Sequence, residues 1–266
     1  MDTVRTFRVL LGRARFRPRG RLVFPPAAAV PIRGALGFAL PERLFRPHAD
    51  SGPSGLRELP RPFVLRVREL DGAAIEPGES FEIGLNLFDP ALRPNFEQAF
   101  AAVAAAGLGP ARVKLDCDGF AYREAGVDLF TPEPCAMLEV RFLAPCELKG
   151  WDGAGLTPFG VLLARVRDRI AVLSQAYGEG ALDLDFKAFG ERARAIATTD
   201  GALDRVRGER TSARSGQTHP LSGFTGAVRY TGELGEFVPW LRGAALAGVG
   251  RQTVWGHGEI AVSRIG

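Results

Sequence analysis

The order of strand and helix signals, run through twice, is the feature that most restricts what this chain can fold into. In the first half, Thr6–Arg15 (TFRVLLGRAR) is strand-like. Ile32–Phe45 reads as a helix that Pro41 must kink or split, because a proline ring removes a backbone donor and clashes with the preceding turn. Pro47–Pro62 carries Pro, Gly and Ser and reads as a loop. Phe63–Leu70 and Ser80–Phe88 alternate apolar with polar residues, as half-buried strands do. Asn95 is placed to cap a helix from Phe96 to Ala106, which Gly107 and Gly109 stop. Val113–Phe120 and the residues after it read as a further strand or hairpin, and Thr131–Pro134 as a linker.

The order then restarts. Met137–Leu143 is a strand, and Pro158–Tyr177 is a helix with Phe159, Leu162, Leu163, Val166, Ile170, Leu173 and Tyr177 on one face. Asp183–Arg210 is polar and carries no clear period. Gly226–Thr231 is a strand, Phe237–Ala247 a short helix, and Thr253–Val262 the closing strand. Each half runs β-α-β-β-α-β. The expectation is an α+β protein of tandem ferredoxin-like (RRM-like, split βαβ) domains, residues 1–133 and 134–266, the second ending in a glycine-rich loop. A TIM barrel or a Rossmann fold would need more regular alternation of strand and helix.

Composition adds limits. The hydrophobic fraction of 46% and charged fraction of 24% are those of a globular chain. The formal charge is only +4, yet all but three of the 34 basic residues (Lys114, Lys149 and Lys187) are Arg. Arg suits bidentate phosphate contact and stacking on bases, but a GC-rich genome produces the same bias, so composition permits a nucleic-acid partner without showing one. No apolar run approaches the ~20 residues that span a bilayer, and Met1–Pro25 lacks a signal-peptide core, so a soluble cytoplasmic protein with no membrane partner is expected. Cys117, Cys135 and Cys146 lack zinc spacing and read as buried, inert thiols. His48, His219 and His257 lie in no His-Glu-x-x-His pattern, so neither a metal nor another cofactor is expected.

The most specific local feature is Gly248–Gly258, GVGRQTVWGHG. It is neither the dinucleotide fingerprint nor a Walker loop. Paired glycines let two backbone stretches approach each other or a ligand, and Arg251 within the loop could hold a phosphate. A tight helix-to-strand connection would use the same residues. The loop resembles the C-terminal glycine-rich motif of the RAMP superfamily, the RNA-binding proteins of CRISPR systems. The run SGFTGAVRYTGELGEFVPWLRGAALAGVGRQTVWGHGEI resembles the C-terminal domain of the CRISPR RNA-processing endoribonuclease family. PIRGALGFAL, PRPFVL, FEIGLNLFD and VRFLAPCELKG continue the resemblance in chain order. Many relatives carry a cysteine cluster after the first helix; His48–Pro60 has none.

The resemblance implies metal-independent cleavage of the repeats of precursor CRISPR RNA. A ribose 2′-hydroxyl would attack the adjacent phosphate, leaving a 2′,3′-cyclic phosphate and a 5′-hydroxyl. Such a reaction needs a base, an acid and a cation for the phosphorane. His48, after the first helix, is the first candidate for proton transfer, with Arg43 and Arg46 as the phosphate grip. Gly248, Gly250, Arg251, Gly256, His257, Gly258 and Arg242 are the candidate RNA contacts. His257 ranks second for catalysis and His219 third. Trp255 reads as packing, with base stacking as its alternative. Arg165, Arg167 and Arg169 read as a solvated helix surface, while Arg13 and Arg15 share one side of their strand, opposite Arg8 if no bulge intervenes. Two other readings stand beside this one: a non-catalytic RNA-binding RAMP subunit of a CRISPR effector complex, and a ferredoxin-like binding protein unrelated to RNA. Expected partners are CRISPR repeat RNA and other CRISPR effector subunits, with the chain a monomer or homodimer.

Overall fold

The computed structural model describes residues 5–48, 58–151, 153–211, 218–220 and 222–265. The first half runs β1 (Thr6–Pro18), β2 (Leu22–Val23), α1 (Ala29–Ala39), α2 (Glu42–Phe45), β3 (Phe63–Arg66), β4 (Ala74–Ile75), β5 (Phe81–Leu87), α3 (Arg93–Ala106) and β6 (Leu115–Asp128). The second runs β7 (Met137–Cys146), α4 (Phe159–Tyr177), α5 (Phe186–Arg194), β8 (Ala197–Val206), β9 (Glu209–Thr211), β10 (Thr218–Pro220), β11 (Gly223–Thr231), α6 (Val238–Ala247) and β12 (Ile260–Arg264). Two four-stranded antiparallel sheets result, ordered β3-β5-β1-β6 and β12-β7-β11-β8. In each, the first strand of the half lies between the last and the third, which is the split βαβ arrangement expected from the repeated pattern.

Local sequence accounts for most boundaries. Pro41 divides the first helical run: Leu40 before it is extended, at φ −85° and ψ 145°, and α2 begins just after it. α3 starts earlier than expected. Asp89 caps a 3-10 turn at Pro90–Leu92 that leads straight into Arg93, so Asn95 lies inside the helix and is not its cap. β6 is one long strand rather than a hairpin, because β1 pairs with it from Thr6 to Pro18. The unassigned Asp183–Arg210 holds α5, capped by the Asp185 carboxylate accepting from Lys187 and Ala188 N–H, and then β8. The closing strand is shorter than expected: Thr253–Trp255 is a 3-10 turn, and pairing with β7 begins at Ile260.

β1 serves two cores. Leu10, Ala14 and Phe16 pack with Ile32 and Leu36 of α1 and Phe96 and Phe100 of α3. Phe7 and Val9, on the opposite side, join Val64 and Phe88 in the core of the second half, with Ile170 and Leu173 of α4 and Leu241 and Ala244 of α6. The helices α4 and α6 are therefore packed between the two sheets. Further along β1, Arg13 and Arg15 continue on this side beyond the helices, exposed and paired with Glu82, while Arg8 on the other side pairs with Glu179. Of the three cysteines Cys146 alone is buried; Cys117 is exposed and Cys135 half-buried, because β6 turns Cys117 away from both cores.

The end of α6 is where the halves are tied by polar contacts. The last four carbonyls of a helix have no partner within it. Here all four are met. Gly248 N–H donates to Ala244 O. Arg66 on β3 donates through Nη2 to Ala245 O at 2.8 Å and Leu246 O at 3.0 Å. Asn86 on β5 donates to Leu246 O at 2.8 Å, and Arg169 on α4 to Ala247 O at 3.0 Å. Arg169 is thus not part of a solvated helix surface; Arg167 and Arg165 pair with Asp168. Burial pushes both capping guanidinium groups down, and together with the neighbouring Arg66 charge it brings Arg169 to about 9; the Glu259 charge opposes the shift at Arg66. An arginine side chain keeps its charge in a protein, so both cations face the negative end of the helix dipole. Replacing Arg66 with Met leaves Ala245 O without its donor and leaves Leu246 O with Asn86 alone. The expected loss is about 2–3 kcal/mol of unfolding free energy, read from urea denaturation. An unchanged midpoint would show that Arg66 contributes no net stability.

Candidate functional site

The glycine loop leaves α6 at Gly248, whose φ of +75° suits a residue without a side chain. Val249 N–H donates to Gly258 O at 2.9 Å, closing the loop on itself. Gly258 N–H donates to Pro145 O at 2.9 Å and Arg251 N–H to Glu147 O at 3.1 Å, fastening it to the end of β7. Two glycines allow these approaches. A Cβ at Gly258 would lie 1.9 Å from Val249 O, and one at Gly250 would lie 2.3 Å from Glu147 O. Gly256 faces the other half, where a Cβ would meet the Ala29 side chain of α1 at 3.1 Å. The close approach made by Gly250 and Gly258 is therefore to the chain's own backbone.

The loop is joined to the segment that carries His48. The Arg33 guanidinium of α1 lies over the Trp255 ring, 3.5 Å from its centroid, and over the Phe45 ring at 4.5 Å. Phe45 closes α2, and its ring packs on α1 where Gly37 leaves room. Arg61 lies over the same ring and donates through Nε to Phe45 O at 2.8 Å. Cation–π contacts of this kind stabilise by about 0.5–2 kcal/mol each. Arg43, Arg46 and His48 are exposed around this stack. The His48 backbone pairs with Glu58 in an isolated bridge. Among the described residues, neither Arg43 nor Arg46 forms an ion pair.

The other candidates are placed differently. Arg251 is exposed and pairs with Glu147 at 2.8 Å. Arg242 pairs with Glu133 at 2.6 Å, and the same carboxylate holds Arg264 at 3.0 Å. His257 points inward: it is 5% exposed, and its Nδ1 is buried with no hydrogen-bond partner. Burial pushes its pKa below the ordinary 6.5, with the Glu147 charge opposing. His219 sits on β10, its backbone paired with Arg210, and its side chain lies outside the described residues. Trp240 is core, 1% exposed, and Trp255 is half-buried under Arg33. Sequence reasoning missed Arg33, Phe45, Arg66 and Asn86. Arg33 did carry a signal, as the one charged residue in the apolar run AVPIRGALGFA.

Residues 140–260 match the sequence model of the CRISPR-associated endoribonuclease Cas6. Residues 42–132 match a second model, described as an N-terminal domain. No curated protein matches the chain by sequence. Two solved Cas6 product complexes superpose at TM-scores of 0.60, with 18% and 17% identity; the matches cover 95% and 96% of this chain and 99% of each of theirs. The Cas6 of Thermus thermophilus superposes at 0.56 with 16% identity, over 98% of this chain and all of its own. At these identities the structural likeness establishes the fold, which is α+β with two ferredoxin-like sheets.

Two outcomes follow from the loop. Gly258→Ala drives a Cβ into Val249 O at a left-handed φ of +67°, and should cost more than about 2 kcal/mol in urea unfolding. His257 binds a proton less readily folded than unfolded, so falling pH favours the unfolded chain. Stability should decline as pH drops below 6.5, and His257→Asn should flatten that decline between pH 7.5 and 5.5. An NMR titration of the His257 imidazole at or above 6.5 would contradict its burial.

Proposed function

We propose that this chain, whose residues 140–260 match the sequence model of the CRISPR-associated endoribonuclease Cas6, acts as a member of that family and cleaves the repeats of precursor CRISPR RNA without a metal ion. The observation that carries the reading is the exposed group His48, Arg43 and Arg46, tied through the Phe45–Arg33–Trp255 stack to the glycine loop. The family supplies the substrate class, and this group supplies residues able to move protons and hold a phosphate.

In the proposed reaction the ribose 2′-hydroxyl loses its proton as its oxygen bonds to the adjacent phosphorus. The P–O5′ bond breaks and the leaving 5′-oxygen takes up a proton. The products are a 2′,3′-cyclic phosphate and a 5′-hydroxyl, so no water is consumed. An imidazole can both take up and release a proton, so His48 can serve as base or acid in this transfer. Arg43 and Arg46 meet the charge that grows on the non-bridging oxygens. Arg251 and Arg242 extend the basic surface as RNA-backbone contacts. Their pairs with Glu147 and Glu133 are exposed, and such pairs stabilise by about 0–1 kcal/mol, so a phosphate can replace the carboxylate. Gly248, Gly250, Gly256 and Gly258 shape the loop that presents Arg251. His257, buried in this conformation, supports the loop from within.

Repeat RNA incubated with pure protein in EDTA is expected to yield fragments ending in a cyclic phosphate. His48→Ala should lower the single-turnover rate by about 100-fold or more with little change in Kd. Arg43→Ala with Arg46→Ala should lower both rate and affinity. Binding without cleavage by the unaltered protein would favour a non-catalytic RNA-binding role. Full activity of His48→Ala would remove His48 from the site.

A further inference from the structure

α1 carries one side chain that its packing does not use. Ile32 and Leu36 enter the core, Arg33 lies between two rings, and Gly37 receives the Phe45 ring. Phe38, the next residue, is 82% exposed, the most exposed of the large hydrophobic side chains among the described residues. One turn back on the same face, Gly34 leaves bare backbone: a Cβ there would meet no atom within 4 Å. The result is a flat aromatic ring beside a strip of open helix.

The surroundings say what kind of occupant fits. α2 folds against this end of α1 through Phe45, and brings Arg43 and Arg46 with it. Both are exposed without an ion pair among the described residues, whereas Arg13, Arg15, Arg17 and Arg19 on the same half are each held by a carboxylate. Glu42 is the single acid on α2, so a net positive charge remains. An apolar protein surface would call for a wider apolar patch than a single exposed ring. Single-stranded RNA calls for what is here: a ring to stack on a base, and guanidinium groups for the flanking phosphates.

We propose that Phe38 is the stacking platform for one unpaired nucleobase of the RNA, beside the phosphate gripped by Arg43 and Arg46. This rests on the RNA-processing reading and deepens it by assigning a base-contacting residue. Any base offers a π-face, so the platform sets which nucleotide is seated, and where, rather than which letter it is.

The test is a double-mutant cycle on the full chain with fluorescently labelled repeat RNA. Phe38→Ala should weaken binding about tenfold, and Phe38→Trp should keep it. Abasic substitutions are then moved one by one along the unpaired nucleotides. At one position the abasic RNA should bind the unaltered protein about tenfold more weakly, and Phe38→Ala should add nothing further. Equal binding by Phe38→Ala and unaltered protein would overturn the proposal. So would a penalty for Phe38→Ala that persists with every abasic RNA. A change confined to oligomeric state in size-exclusion chromatography would also overturn it, assigning Phe38 to a contact between copies. If the unaltered protein binds no repeat RNA, the RNA-processing reading itself falls, and the platform with it.

Discussion

Four carbonyl oxygens at the end of α6 hold the two halves of this protein in one arrangement. A helix end buried between two sheets must find donors, since water is excluded and the dipole concentrates negative charge there. The donors come from both halves: Arg66 and Asn86 from the first sheet, Arg169 from α4 and the Gly248 amide from the loop itself. Removing either arginine would leave an uncompensated polar group in the interior, so neither half can shift against the other without losing several hydrogen bonds at once. The apolar contacts of Phe7, Val9, Val64 and Phe88 with α4 and α6 supply area, and the carbonyl cap supplies register.

That register decides where the glycine loop goes. The loop starts one residue beyond the capped carbonyls, so its first backbone atoms are placed by groups on the first half. Its return path is set by Gly258 and Gly250, which press against Val249 and Glu147. Trp255 is then left over α1, where Arg33 stacks between it and Phe45. A chain of fixed contacts thus runs from the core of the second half to α2, three residues before His48. Function-bearing residues on a short helix and a loop are positioned by a scaffold that begins elsewhere in the sequence.

How much of this could be read from the sequence depends on how many surfaces each residue faces. α4 was legible because seven apolar residues recur at helical spacing and all meet one core. β8 was not, because it is an edge strand whose side chains are mostly exposed, which erases the alternation that marks a strand. Arg169 was misread for a related reason. It lies off the apolar stripe of α4, as a surface residue would, but the other side of that helix is covered by the first half and by the end of α6. The single-helix period contains no information about a second neighbour. The glycine loop was legible as a place of close approach, while the partner in that approach, the chain's own backbone, depends on contacts far apart in sequence.

The arginines divide by what surrounds them. Arg66 and Arg169 are structural cations, with donors spent on carbonyls. A second group is matched to carboxylates, often two to one: Glu82 holds Arg13 and Arg15, Glu133 holds Arg242 and Arg264, and Glu139 holds Arg141 and Arg229. At Glu82 and Glu133 the local sum stays positive, although the pairing orders the side chains; at Glu139 it is balanced by Asp200, which also holds Arg229. A third group, which includes Arg43 and Arg46 together with Arg68, Arg112 and Arg123, is exposed and has no such match among the described residues. A net charge of +4 over the chain therefore conceals strong local differences. Attraction of a polyanion depends on local potential more than on total charge, and surface pairs of about 0–1 kcal/mol oppose it only weakly. The positive surface is strongest where exposed guanidinium groups lack a carboxylate, and Arg43 and Arg46 are two such groups in the short segment between Phe38 and His48.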